Sequence, residues 1–161
     1  MSRFVLFVLL LVESLWLGSS VYFSAFAANE LFAQLSENAA AAAVGALFPT
    51  YFLLSAIFGV LTLVLYVWLQ QLFPLSRRSS RFGVGSALVG AVFALINHLY
   101  MLPHIQQIER VMGPIQSASA AMVQKFGMWH GISMLFDLIM MVCAFLVLIS
   151  MALTLPLRSQ R

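Results

Sequence analysis

Residues 4–28 read FVLFVLLLVESLWLGSSVYFSAFAA, an apolar run that contains one acidic residue, Glu13, and no lysine or arginine. A hydrocarbon core about 30 Å thick needs about 20 apolar residues from a helix that crosses it, and this run is long enough. A charged side chain at the centre of such a helix costs about 2.5–3.5 kcal/mol on insertion scales. We therefore expect Glu13 to face a bundle interior or a polar path, and to mark a functional position.

Three further apolar runs of spanning length follow at residues 51–73, 82–102 and 126–155. Hydrophobic residues make up 63% of the chain and charged residues only 8%, a composition typical of membrane proteins. The predicted fold class is all-α, a four-transmembrane-helix bundle formed by a single domain of residues 1–161. We expect a multi-pass integral membrane protein that contacts the lipid bilayer, in the inner (plasma) membrane if the source is bacterial.

The basic residues predict the orientation of this bundle. Arginines at positions 3, 77, 78, 81, 158 and 161 flank one side of the predicted spans, whereas only Arg110 and Lys125 flank the other. Since cytoplasmic loops carry an excess of lysine and arginine, both termini are predicted to be cytoplasmic. The same distribution accounts for the net charge of +3 without a basic patch, so we exclude nucleic acid as a partner.

The N-terminal run has an alternative interpretation as a cleaved signal peptide. Arg3, an apolar run and the small residues around Ala25 and Ala27 follow one another in the order that a signal peptide requires. The run is longer than a signal peptide usually is, and Glu13 and the bulky Trp16 within it are not typical of one. Cleavage would also leave only three spans. We therefore retain residues 4–28 as the first span.

A second acidic residue, Asp137, lies in the fourth apolar run. At a rise of about 1.5 Å per residue, Glu13 and Asp137 both fall near the middle of the membrane. Two carboxyl groups close together in a low dielectric cannot both ionise cheaply, so the pair is a candidate for sharing a proton or coordinating a cation. The alternative is that each carboxyl group separately bonds a hydroxyl or carbonyl group across a helix interface.

Near the predicted outer boundary, imidazole and thioether side chains form a candidate metal site. The four candidate ligands are His98, Met101, His104 and His130, and Glu30 and Glu109 lie at a similar depth. Copper is the metal that the methionine-rich composition favours first. No two histidines stand four residues apart on one predicted helix, so the alternative is that they bond helix ends and interfacial water. The lone Cys143 excludes an intrachain disulfide.

Prolines and small residues predict local features. Pro49 is predicted to open the second span, where a missing N–H group is harmless, and Pro74 with the Ser76–Ser80 cluster to form the following turn. After Pro103 the pattern predicts an amphipathic segment along the outer surface, either a short helix or a kinked continuation. Small residues at 20–28 and 83–90 predict close helix packing, within the bundle or with a partner protein.

Several motifs together resemble a known family. The stretches LFPTYF at residues 47–52 and WHGIS at 129–133 resemble motifs of the transmembrane protein 205-like family, as do LWLG at 15–18 and the spaced Asn97 and Pro103. The resemblance implies a four-helix membrane protein without an established reaction. The family commonly has asparagine where this chain has Asp137. The family-like positions are Phe48, Pro49, Tyr51, Asn97, Pro103 and His130.

More widely, the predicted bundle is similar to those of copper-resistance protein D and of the haem-binding protoporphyrinogen oxidase of bacteria. That similarity implies copper or haem as a cofactor, with His98 and His130 as axial haem ligands and Met101 as a substitute.

The sequence therefore favours a small carrier, sensor or accessory subunit over an enzyme. Its predicted role is to handle a metal ion or protons at a polar site centred on His130 near the outer face. The alternatives are a haem-dependent redox protein and a structural partner, as a homo-oligomer or as a subunit of a membrane complex.

Overall fold

The structure, a computed structural model, describes residues 2–73 and 77–154. Over those residues it contains helices and no strand. Four helical spans in the described ranges are long and apolar enough to cross a membrane, so the predicted all-α, four-helix class is confirmed. The helices are α1 (Ser2–Val21), π1 (Tyr22–Ala27), α2 (Ala28–Gln34), α3 (Glu37–Leu72), α4 (Arg77–Ile96), π2 (Asn97–Met101), α5 (Leu102–Met112), a 3-10 turn (Ile115–Ser117) and α6 (Ala120–Thr154).

The helices form a closed bundle in chain order. Helix α1 contacts α3 and α6, and α4 contacts the same two helices, so α1 lies opposite α4 and α3 lies opposite α6. Residues 35–36 separate α2 from α3, and residues 113–119 separate α5 from α6, so the spans on either side of each of these short connections run antiparallel. The interior has three apolar layers, which are centred on Leu9 and Tyr66 near the termini, on Trp16 and Met140 in the middle, and on Phe52 and Leu102 at the other end.

The spans are longer than predicted, and they run Arg3–Gln34, Glu37–Leu72, Ser79–Met112 and Ala120–Leu153. Pro49 therefore lies inside α3, and the prediction that it opens the second span is wrong. Helix α3 begins at Glu37 because the alanines at 39–43 are strong helix formers and the backbone is extended at Ser36, just before the helix. In a membrane bundle, the loss of one N–H donor at a proline is tolerated because neighbouring helices can satisfy the backbone group that is left without a partner.

Two π-helical segments interrupt the first and third spans. The N–H group of Ala28 bonds the carbonyl of Phe23, and that of Leu102 bonds the carbonyl of Asn97, each across five residues. After π2 the helix continues as α5 with Pro103 in its first turn, so the kinked continuation is the alternative that the structure contains. The apolar face of α5 is buried and packs against α6 instead of lying on a membrane surface.

The small residues at 83–90 pack inside the bundle, whereas in the stripe at 20–28 Ser20 is buried and Ser24 is exposed. Trp16 fits between Gly59 of α3 and Gly90 of α4, because a Cβ atom at either glycine would lie 3.1 Å from its ring. Gly83 faces the ring of Tyr66, and Ser20 is buried. These contacts lie within the chain, and close packing against a partner protein stays a prediction.

Parts of three predictions fall outside the described residues. Pro74 and Ser76 of the predicted turn, the last predicted span residue Leu155, and the basic residues Arg158 and Arg161 all lie there. The rest of the predicted turn, residues 77–80, instead forms the start of α4. The cytoplasmic location of the termini therefore stays a prediction.

Candidate functional site

Asp137 is the centre of a hydrogen-bonded group that joins three spans. Its Oδ1 accepts a hydrogen bond of 2.6 Å from the hydroxyl group of Tyr51 on α3. Its Oδ2 accepts one of 3.0 Å from the hydroxyl group of Ser24 in π1. Because α3 and α6 stand on opposite corners of the bundle, the bond between Tyr51 and Asp137 crosses its axis. Asp137 is only 7% exposed, as expected for an acidic residue that faces the interior.

Aromatic packing fixes the ring of Tyr51 in this group. The ring of Phe23 stacks on it, with centroids 4.6 Å apart, and the edge of Phe23 meets Phe48 at 5.6 Å. Phe23 and Ser24 both belong to π1, whose wider turn changes the register between α1 and α2. The π segment therefore brings an aromatic and a hydroxyl side chain to Asp137 from consecutive positions.

A cavity of about 520 Å³ lies beside the carboxyl group. Its wall is mostly apolar, and its polar side chains include Ser24, Tyr51, Asp137, His130 and Ser133. The ring of His130 lies between Phe48 and Phe126, at centroid distances of 5.9 and 5.4 Å. The wall residues are Phe23, Ser24, Ala28, Asn29, Phe32, Val44, Phe48, Tyr51, Phe52, His130, Ser133, Met134, Leu135, Asp137, Leu138 and Met141.

The six family-like positions are only partly brought together. Phe48, Tyr51 and His130 line this cavity, and Pro49 precedes Tyr51 on the same helix. Asn97 is fully buried behind the cavity, where its Oδ1 accepts a bond of 2.9 Å from the hydroxyl group of Ser133. The amide of Asn97 donates in turn to the carbonyl of Ser133 at 3.1 Å. Pro103 is exposed in the first turn of α5.

Glu13 forms a separate site in the bundle. It is fully buried, and its Oε1 accepts a hydrogen bond from the hydroxyl group of Thr62. Within the described ranges, its Oε2 and the hydroxyl oxygen of Ser20 have no hydrogen-bond partner. Glu13 precedes Ser24 by 11 residues, and Tyr51 precedes Thr62 by 11, so the two carboxyl groups are about 16 Å apart along the bundle axis.

This separation decides between the two interpretations of the acidic pair. Glu13 and Asp137 share neither a hydrogen bond nor a hydroxyl partner, and the hypothesis that they share one proton is not supported by their geometry. Each instead bonds hydroxyl groups across a helix interface, as the alternative interpretation expected.

Beyond the polar groups at Asp137 and Glu13, further buried polar groups lie towards the end of the bundle that carries the termini. The hydroxyl groups of Tyr66 and Ser150 lie 2.7 Å apart, and that of Ser150 donates to the carbonyl of Ser79 at 3.2 Å. Tyr66 follows Tyr51 by 15 residues on α3, or about 22 Å. The polar groups from Asp137 past Glu13 to Tyr66 therefore extend over most of a hydrocarbon core of about 30 Å.

The predicted metal ligands do not form one cluster. His104 packs against Trp129 at a centroid distance of 4.3 Å, whereas His130 faces Phe48. Trp129 and His130 are consecutive on α6, so their side chains point about 100° apart. Met101 is buried, and Glu30 is exposed and bonded to Gln34.

The arrangement of these ligands leaves metal binding without structural support. Residues 2–73 and 77–154 contain no group of three or more His, Cys, Asp or Glu side chains placed to hold a metal ion. Metal ligation by His98, Met101, His104 and His130 stays a prediction.

Ser24 as a partner of Asp137 and Thr62 as a partner of Glu13 were not predicted from the sequence. The spacing of these residues along the sequence indicates which of them lie level on the first two spans. Ser24 and Tyr51 stand at nearly equal numbers of residues before and after Glu37, where α3 begins, and so do Glu13 and Thr62. Because a short turn makes its two helices antiparallel, residues equidistant from it come level with each other. The predicted start of the second span at residue 51 concealed this register.

Comparison with known families places the chain in an uncharacterised group. The sequence model of a family described as a domain of unknown function (DUF4149) matches residues 11–114, which is more than half of the chain. The chain belongs to the DUF4149 family. The matched part of this DUF4149 protein includes Glu13, Ser24 and Tyr51, whereas His130 and Asp137 follow it.

No curated protein and no solved structure matches this DUF4149 protein. The matching family model does not by itself show a relationship to transmembrane protein 205 or to copper-resistance protein D. The first resemblance therefore rests on the motifs alone, and the second on the predicted four-helix bundle.

Proposed function

We propose that this DUF4149 protein binds and releases protons inside the membrane, with Asp137 as the proton-binding group. The observation that carries the proposal is the convergence of Tyr51 and Ser24 on the Asp137 carboxyl group beside a cavity that His130 also lines. This is the role of a small carrier, sensor or accessory subunit, and it requires no chemical conversion of a substrate.

The chemistry of the buried groups supports proton binding. A carboxyl group exchanges a proton directly, and hydroxyl groups act as both donors and acceptors. Neither Asp137 nor Glu13 bonds a basic side chain in the described ranges, so no fixed cation there compensates a charge on either carboxyl group. Intramembrane ionisable residues that face a bundle interior commonly mark proton or ion pathways.

The buried groups between Asp137 and Tyr66 favour a path that is longer than one site. Oε2 of Glu13 and the hydroxyl oxygen of Ser20 have bonding capacity that the described side chains do not use. A buried polar atom of this kind is a suitable partner for a water molecule. Trp16 occupies the level between Glu13 and Ser20, so we expect its indole ring to restrict movement along this path.

Infrared difference spectroscopy during a pH titration of the purified protein tests the proposal. We expect a carboxylic acid band that changes with pH and is absent from the Asp137→Asn variant. Glu30→Gln is the matched control, because it removes an exposed carboxyl group of the first span and should leave that band intact. Identical titration spectra for the wild type and Asp137→Asn would overturn the proposal.

Metal handling at His130 is a competing function that the sequence predicted. We prefer the proton because the cavity brings together the groups that proton binding needs, whereas the predicted metal ligands face different neighbours. Elemental analysis of the purified protein and of His130→Ala separates the two functions. Near-stoichiometric copper or iron that is lost in the variant would favour a metal-handling or haem protein.

A further inference from the structure

The cavity beside Asp137 reaches the lipid-facing surface of the bundle. Met134, Leu135 and Leu138 line it from α6, and each is more than half exposed. Phe32 lines it from α2 and is about half exposed. These residues belong to membrane-spanning helices, so the opening between α2 and α6 faces lipid. A ligand can therefore enter from the bilayer.

The polar side of the cavity carries a carboxyl group without a counterion. Ser24 and Tyr51 each donate one hydrogen bond to Asp137, and no described basic side chain pairs with it. A carboxylate has about four acceptor positions, so about two stay available. His130 and Tyr51 are the other titratable groups of the wall, and neither supplies a fixed positive charge. An anionic ligand would be repelled here, whereas a cation would be attracted.

The apolar side of the cavity suits the body of an organic cation. The rings of Phe23, Phe48 and Phe52 line it together with that of Tyr51. Aromatic faces attract organic cations in addition to packing against their apolar groups, and rings of this kind recognise quaternary ammonium ligands in other proteins. The volume of about 520 Å³ is in the range of small-molecule sites.

We propose that this cavity binds a lipophilic organic cation, an amine or quaternary ammonium compound that reaches it through the bilayer. The cationic centre lies against the carboxyl group of Asp137, and the apolar body lies among Phe23, Phe48 and Phe52. The inference rests on the proposed function in one respect, because the proton and the cation occupy the same carboxyl group and exclude one another.

Binding of tetraphenylphosphonium to the purified protein, measured by isothermal titration calorimetry in detergent, tests the inference. Tetraphenylborate is the matched probe, since it has nearly the same size and shape and the opposite charge. We expect the cation to bind the wild type and the anion not to bind. Asp137→Asn should weaken cation binding at least about tenfold, because it removes the only carboxylate among the described residues of the wall. Glu30→Gln should bind as the wild type does.

A second variant covers the case in which Asp137→Asn does not fold. Ala28 lines the cavity, and neither hydrogen bond of Asp137 comes from it, so Ala28→Trp is expected to fill the cavity and to leave those two bonds in place. We expect this variant to lose cation binding as well. Equal binding of both probes, or unchanged cation binding in Asp137→Asn or in Ala28→Trp, would overturn the inference, as would no binding to the wild type.

The two proposals fail in different ways. A carboxyl band of Asp137 that titrates, in a protein that does not bind tetraphenylphosphonium, contradicts the cation site and retains the proton site. Cation binding that depends on Asp137, without any titrating band of that residue, contradicts the proton site and retains the cation site.

Discussion

At the scale of single residues, the hydrogen bond between Thr62 and Glu13 is the contact that is least backed up by other bonds. Glu13 is fully buried, and the hydroxyl group of Thr62 is the single described side chain that bonds it. The other carboxyl oxygen already has no described partner. A buried acceptor that loses its partner costs about 1–3 kcal/mol.

Thr62→Val is therefore expected to lower the free energy of unfolding by about 1–3 kcal/mol, because valine has nearly the shape of threonine but donates no hydrogen bond. Reversible unfolding in mixed detergent measures the change. Thr50→Val is the control, since Thr50 is exposed on the same helix and its substitution should change stability by less than about 0.5 kcal/mol. Equal effects of the two substitutions would show that the bond to Glu13 contributes nothing to stability.

At the scale of helices, close approach depends on individual glycines. A Cβ atom at Gly83 of α4 would lie 1.9 Å from the hydroxyl oxygen of Tyr66 on α3. Tyr66 is fully buried and bonded to Ser150, so its ring has little room to move. Gly85, two residues further along α4, has no such neighbour within 4 Å.

Gly83→Ala is expected to destabilise the bundle by about 1–3 kcal/mol, since it forces Tyr66 from its place between α3 and α4. Gly85→Ala is the matched variant, and the better helix propensity of alanine should leave stability unchanged or raise it by up to about 1 kcal/mol. Thermal unfolding of both variants in the same detergent measures the difference. Equal stability of Gly83→Ala and Gly85→Ala would contradict the close packing of Tyr66 against Gly83 of α4.

At the scale of the whole molecule, the basic residues predict the orientation in the membrane. Gln34 lies at the end of α2, and Gln71 lies at the opposite end of the bundle, in the last turn of α3; both are exposed. The native Cys143 is buried, so the wild type provides an unreactive background.

A membrane-impermeant maleimide should label Gln34→Cys in intact cells and should label Gln71→Cys only after the membrane is opened. The reason is that the arginine-rich ends of the spans stay on the cytoplasmic side. The reverse pattern of labelling would show that both termini lie outside.

The sequence by itself determined the membrane class, the number of helices and the inward direction of Glu13 and Asp137. Those features follow from apolar length and from the cost of an acidic side chain in lipid, which are local quantities. It also indicated Phe48, Tyr51 and His130 as positions of interest, and they line one cavity.

Only the tertiary structure decided which groups meet. The pairing of Asp137 with Tyr51 and Ser24, and of Glu13 with Thr62, depends on the order of helices around the bundle, on where each turn begins and on the π segment at Ser24. A one-residue change in register rotates a helical side chain by about 100°, so a small error in a predicted turn selects a different partner. For that reason apolar length predicted the spans, whereas the polar contacts inside the bundle emerged only when all four helices were in place.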